Sequence, residues 1–134
     1  MELRENNLKA QVIDLALAEV PFLRSLGWRQ RARLARQATT RRYPAGAVIV
    51  REGDTGMTVY VVLSGAVDMA GRRAERGACF GAADVIHDRP RGETVVAVEP
   101  TECVLLAKWD FTALLVSEPW VALSLLAYAT RDTA

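Results

Sequence analysis

A chain of 134 residues, 51% hydrophobic and 25% charged, has the composition of a single soluble globular domain. At this size folding buries roughly two thirds of the extended-chain surface, enough for one core and too little for two. Disorder, collagen and coiled coil are excluded. Seventeen basic residues against 16 acidic leave a net charge of +1, so the overall charge points to neither nucleic acid nor an anionic membrane. Cys79 and Cys103 lie far apart in a mid-sized chain, which reads as two reduced thiols of a cytosolic protein. The N-terminus carries no apolar h-region, so no secretory signal is expected. The most apolar stretch, Phe111 to Ala129, is interrupted at Glu118-Pro119. A bilayer span needs about 20 apolar residues in a row, so two packed helices are expected there and no membrane segment.

Leu8, Val12, Leu15 and Ala16 recur at helical spacing, which predicts a first helix with Asn6 or Asn7 as its cap. Pro21 and Gly27 punctuate the chain, and a second helix is predicted over Trp28–Gln37, with Leu34 and the alanines toward the protein. Seven arginines and no acid lie between Arg24 and Arg42. In a chain where 15 of 17 basic residues are Arg, a solvated helix face accounts for them. A nucleic-acid stripe is the sharper alternative. The excess of Arg over Lys also suggests a GC-rich bacterial source.

From Arg42 the period changes. Tyr43-Pro44-Ala45-Gly46 reads as a turn, Val48–Val50 as a short strand, and Glu52-Gly53-Asp54-Thr55-Gly56 as a second turn. Met57 to Leu63 is strongly strand-like, Ser64-Gly65 turns, and Ala66 to Ala70 alternates weakly. Thr94 to Val98 and Cys103 to Ala107 are two further strands. Short strands with Gly turns at close spacing signal an antiparallel sandwich or barrel between terminal helices. Asp110 to Ser117 is predicted helical with Asp110 as cap. Pro119 fits the first turn of a last helix over Trp120–Thr130, whose Trp120, Leu123, Leu126 and Ala127 form one apolar face and Val121, Leu125 and Tyr128 its neighbours.

Two segments carry more than this generic pattern. One is Tyr43-Pro44-Ala45-Gly46-x-Val48-Ile49-x-x-Glu52-Gly53-Asp54, followed by Val59-Tyr60-Val61-Val62-x-Ser64-Gly65. The other runs from Phe80-Gly81-Ala82-Ala83-Asp84 through His87 to Pro90-Arg91-Gly92-Glu93-Thr94. Together they resemble the cyclic nucleotide-binding domain of the catabolite-activator and protein-kinase-regulatory families, over nearly the whole chain. Phe80-Gly81 and Pro90-Arg91 match the family's phosphate-binding cassette without insertion or deletion.

The resemblance implies an antiparallel jelly-roll barrel, a double-stranded β-helix of eight strands, with flanking helices. Its parts are N-terminal helices over 1–40, a β-barrel over 41–108 holding the cassette at 80–94, and C-terminal helices over 109–134, all in one domain. It implies a non-catalytic sensor of cAMP, cGMP or a related phosphate ligand, bound by Gly81, Ala82, Ala83, Arg91 and Gly92. No cofactor or metal is implied. The chemistry is sound for phosphate: glycine allows close backbone approach, helix N-termini attract anions, and an arginine adds charge-assisted bonds. In the family the last helix covers the ligand and forms dimers, so Trp120 and Tyr128 are candidates for a lid or interface. A homodimer or an unknown effector is the expected partner. The chain ends at Ala134, and no helix-turn-helix DNA-binding domain is expected.

Departures from the family pattern matter. Ala82 replaces the glutamate that accepts the ribose 2′-hydroxyl, and loss of such a charged hydrogen bond costs about 1.5–3 kcal/mol. That is roughly 10- to 150-fold in affinity. Glu93 stands where a small residue is usual. It either reaches Arg91 as an internal counter-ion or points away by strand alternation. Asp84, two residues past Ala82, is turned about 200° from it on a helix and is not expected to replace the missing acceptor. Gly53 and Gly65 are expected at special backbone angles, with Asp54 capping its turn. A single histidine, His87, rules out a cupin-type metal site, and no P-loop, nucleophile elbow or Ser/His/Asp set is present. The chain reads as a non-enzyme. The alternative to a weak nucleotide sensor is a degenerate, nucleotide-independent dimerisation or scaffolding module.

Overall fold

The computed structural model describes residues 2–124, with side-chain burial from residue 8 onward. Two four-stranded antiparallel sheets form the centre, with strand orders β1-β8-β3-β6 and β2-β7-β4-β5. The strands are β1 (Thr39–Tyr43), β2 (Val48–Val50), β3 (Thr58–Ser64), β4 (Val67–Met69), β5 (Arg72–Ala74), β6 (Cys79–Phe80), β7 (Val95–Ala97) and β8 (Thr101–Ala107). The helices are α1 (Glu2–Ala18), α2 (Trp28–Gln37), α3 (Ala82–Ile86) and α4 (Lys108–Ser117), with a 3-10 turn at Pro21–Leu23. Eight antiparallel strands with flanking helices fulfil the expected jelly roll. The two sheets face each other as a sandwich; among the described residues no ladder joins them into a closed barrel.

The period-2 alternation of strands explains the layers. In β3, Val59, Val61 and Leu63 join a core shared with the helices, while Val62 joins the core between the sheets. In β8, Val104 and Leu106 turn to the helices and Cys103 to the facing sheet. A strand covered on both faces must be apolar throughout, which is why Val59–Leu63 reads as a nearly continuous apolar run. Phe22 and Phe111, fully buried and edge-to-face at 6.2 Å, fasten the N-terminal segment to α4.

The inward face of α1 is Ile13, Ala16 and Leu17, while Leu8, Val12 and Leu15 are exposed. Apolar residues surround the second half of this helix, so spacing alone does not select a face, and packing on β3 does. Several elements differ from expectation. Asn6 and Asn7 lie inside α1 rather than at its cap. In α2, Leu34 and Ala35 are buried as expected. Three strands were not legible: β1 is polar until Tyr43, β5 is Arg-Arg-Ala, and β6 has two residues. The first two gain their order from the neighbours they pair with, β8 and β4. α4 starts at Lys108 with Ala107 as N-cap, and Asp110 sits in its first turn. The Lys108 N–H donates to Met57 O at 2.8 Å, so β8 passes into the helix without a polar cap.

Residues 119–124 are helical, beginning at Pro119, with Val121 buried and Trp120 and Leu123 exposed. The remainder of the predicted last helix, including Leu126 and Tyr128, lies outside the described residues. The arginines of 24–42 do not share one use: Arg31 bonds Asp14 at 2.8 Å, Arg42 bonds Glu102 at 3.3 Å, and Arg29 and Arg41 lie over Trp28 and Tyr43. No helix among the described residues is long and apolar enough to cross a membrane.

Candidate functional site: a cassette around a buried arginine

β6 ends in Phe80, whose ring stacks on Tyr60 of the paired strand at 4.9 Å and 5°. The chain then turns at Gly81 with φ +86°, a left-handed conformation that glycine adopts without a Cβ penalty. α3 follows, and the chain returns through Pro90 to Arg91. The Arg91 backbone is clamped to the Glu52–Gly56 turn. Its N–H donates to Asp54 O, and its carbonyl accepts from Gly53 N–H, both at 2.8 Å. Thr94 Oγ1 accepts the Glu52 N–H at 3.0 Å. Gly53 and Gly65 both have φ +88°, as expected from the sequence. Asp54 serves through its backbone.

The Arg91 side chain is buried, only 4% exposed. Nη2 donates to Thr58 O at 2.7 Å and Nη1 to Gly81 O at 3.2 Å, and the guanidinium lies 5.8 Å from the Tyr60 ring centre. A Cβ at Gly56 or at Gly81 would collide with the guanidinium, so two glycines form the slot that admits it. Among the described residues no carboxylate oxygen lies within 4 Å of its nitrogens. Every other ionic contact here pairs an Arg or Lys with an acid, whereas Arg91 keeps its charge on carbonyls alone. A buried cation without a counter-ion carries an unrecovered desolvation cost, and an approaching anion recovers part of it.

The structure brings Gly81, Arg91 and Gly92 together. Ala82 stands apart: its side chain is buried in the helix-side core with Val59, Val61 and Val85. Ala83 is half-buried and accepts the His87 N–H, while His87 itself is exposed. Glu93 lies 3.8 Å from Arg72 of β5, which decides between its two readings: it points away from Arg91. For Asp84 the offset from Ala82 holds: Ala82 faces the core, and the opposite side of α3 is the Gly92 end of the cassette. There Asp84 Oδ2 accepts the Gly92 N–H at 3.3 Å and Oδ1 accepts Arg89 Nε at 2.8 Å. Gly56, Thr58 and Tyr60 also belong to the site. The glycine that closes the Glu52–Gly56 turn was the available signal for Gly56. Nothing in the sequence marked the Thr58 carbonyl, because a backbone acceptor has no residue signature.

Burial pushes the Cys79 and Cys103 thiols up to about 12, so neither supplies a thiolate at neutral pH. No group of three or more metal-ligating side chains occurs among the described residues.

A β-sandwich whose inter-sheet loops enclose a buried guanidinium defines a small ligand-binding domain. Residues 40–118 match the cyclic nucleotide-binding domain family, and the chain belongs to that family. The cAMP-dependent protein kinase regulatory subunit of Aspergillus niger is 32% identical over 114 residues, covering 80% of this chain and 28% of that protein. The corresponding subunit of Eremothecium gossypii is 33% identical over 113 residues, covering 80% and 25%. The chain thus spans under a third of the length of these curated relatives. They are fungal and lend no support to the bacterial source suggested by composition.

Among solved structures, the regulatory domain of Toxoplasma gondii PKA with cAMP superposes with a TM-score of 0.84 at 24% identity, covering 93% of this chain and 51% of that one. The Thermus thermophilus catabolite activator protein gives 0.73 at 29%, covering 84% and 58%. The regulatory subunit of a cAMP-independent protein kinase A from Trypanosoma brucei gives 0.80 at 20%, covering 93% and 47%.

Proposed function

We propose that this chain is a cytoplasmic, non-catalytic regulatory domain that binds a cyclic nucleotide, cAMP or cGMP first, or a related phosphate ligand. The ligand's phosphate meets Arg91, with Gly81, Ala82, Ala83 and Gly92 forming the surrounding cassette. What supports the reading is the Arg91 guanidinium: buried, held in a slot between two glycines, and without a carboxylate partner among the described residues. Binding is weak, because Ala82 offers no acceptor to a ribose hydroxyl and its side chain is turned into the core. Closing the cassette shifts the C-terminal helices and changes what they present to a partner or second copy. Of the two lid or interface candidates, Trp120 lies among the described residues and is 45% exposed.

Isothermal titration of cAMP and cGMP into the wild type, Arg91→Ala and Ala82→Glu tests this reading, with a melting curve for each variant because Ala82 is buried. Binding that Arg91→Ala abolishes supports it, and tightening by a folded Ala82→Glu adds the ribose contact. Silence from the wild type and from a folded Ala82→Glu overturns it.

The second reading is a nucleotide-independent dimerisation or scaffolding module. It draws on the exposed apolar groove of α4 lined by Met57, Trp109 and Val116, and on the exposed Leu8, Val12 and Leu15 of α1. A monomer at tens of micromolar in analytical ultracentrifugation counts against it.

A further inference from the structure

Asp84 stands in the first turn of α3, where an acid ordinarily accepts N–H groups of its own helix. Here both oxygens leave the helix. Oδ1 takes Arg89 Nε at 2.8 Å and Oδ2 takes the N–H of Gly92, eight residues along the chain. The side chain is 15% exposed, so the carboxylate is largely covered while both of its bonds lie toward the exposed side of the cassette. Gly92 directly follows Arg91 in the chain, so its N–H belongs to the same returning segment of the cassette. Asp84 does not neutralise Arg91, since no ion pair joins them; its counter-ion is Arg89. The cation therefore remains unpaired while the neighbouring amide is already filled by an anion of the chain itself.

Resting on the reading of this cassette as an anion site, we propose that Asp84 is a specificity-determining residue, an intrachain carboxylate that competes with a ligand phosphate for the Gly92 N–H. A phosphate oxygen reaching that N–H must displace Oδ2 or lie beside it, and two negative oxygens in hydrogen-bond range repel. Arg89 is the positioning residue that holds Asp84 in place. The effect falls on charged ligands: a neutral nucleoside of the same shape does not meet the repulsion. Asp84 thereby biases the site away from phosphodiesters, a discrimination separate from the ribose contact that Ala82 lacks.

The test is titration of cAMP, and separately of adenosine, into the full chain as wild type, Asp84→Ala, Asp84→Asn and Asp84→Ala/Arg91→Ala. Asp84→Asn keeps the size and removes the charge, so it separates repulsion from packing. Expected is cAMP binding tightened about tenfold or more in both single variants, equivalent to about 1.4 kcal/mol, with the gain lost in the double variant and adenosine changed by less than about threefold. Without ligand, amide exchange at Gly92 should quicken in Asp84→Ala, and unchanged exchange overturns the assigned bond. Wild-type binding that depends on Arg91 yet stays within about threefold in both Asp84 variants overturns the competition and leaves the cassette reading intact. Silence of every chain toward cAMP removes both.

Discussion

Gly56→Ala is the substitution that most directly probes the arginine slot. Gly56 does not have a positive φ, so alanine is unstrained there and should recover about 0.4–1 kcal/mol by restricting the unfolded chain. The added Cβ, however, falls on the Arg91 guanidinium. Arg91 must then leave the slot and give up its bonds to Thr58 O and Gly81 O. Each charge-assisted bond is worth about 1.5–3 kcal/mol, so the net loss is about 2–5 kcal/mol. For a domain of this length that lowers the melting temperature by about 6–20 °C. Scanning calorimetry of the wild type, Gly56→Ala, Arg91→Ala and the double variant forms a thermodynamic cycle. If the collision is the cause, Gly56→Ala is neutral or slightly stabilising once Arg91 is removed. An equal cost in both backgrounds, or no cost in the wild type, would refute the slot.

Three further outcomes are expected. Thr101→Val should destabilise by about 1–3 kcal/mol in urea unfolding and Thr101→Ser by much less, because the buried Thr101 hydroxyl accepts the Ala66 N–H and donates to a carbonyl, and valine leaves that N–H unpaired. Phe111→Ala should cost about 3–5 kcal/mol in the same assay by opening a cavity beside Phe22. The Lys108 ammonium lowers the Asp88 carboxyl, first by its hydrogen bond and then by its charge. A folded-state pKa below the unfolded one means the contribution is present above the unfolded value and lost as pH falls through the folded one. The melting-temperature difference between wild type and Lys108→Met should therefore be seen at neutral pH and close in acid below the carboxylate range.

The site was partly legible because glycine and arginine at fixed spacing are chemical commitments. Phe80-Gly81 and Pro90-Arg91 located the cassette, and the Glu52–Gly56 turn announced itself by composition. Its use did not: the turn exists to hold the Arg91 backbone through Gly53 and Asp54, a contact across nearly 40 residues. Asp84 shows the same limit, since helical offset gave its angle from Ala82 without saying which of the two faced the core.

Sequence by itself determined the element types wherever a residue type enforces a backbone state or a pattern enforces burial. The turns at Gly53 and Gly65, the doubly covered strand at Val59–Leu63 and the helix around Leu34 follow from φ preference and from the hydrophobic effect acting along the chain. Only the tertiary structure decided which face of α1 is buried, that Thr39–Tyr43 and Arg72–Ala74 are strands, that Glu93 pairs with Arg72, and that Asp84 fills the Gly92 N–H. Each of these depends on a partner distant in sequence. An edge strand is ordered by its neighbour's hydrogen bonds and a carboxylate by the nearest donors, and neither partner is encoded in the local pattern.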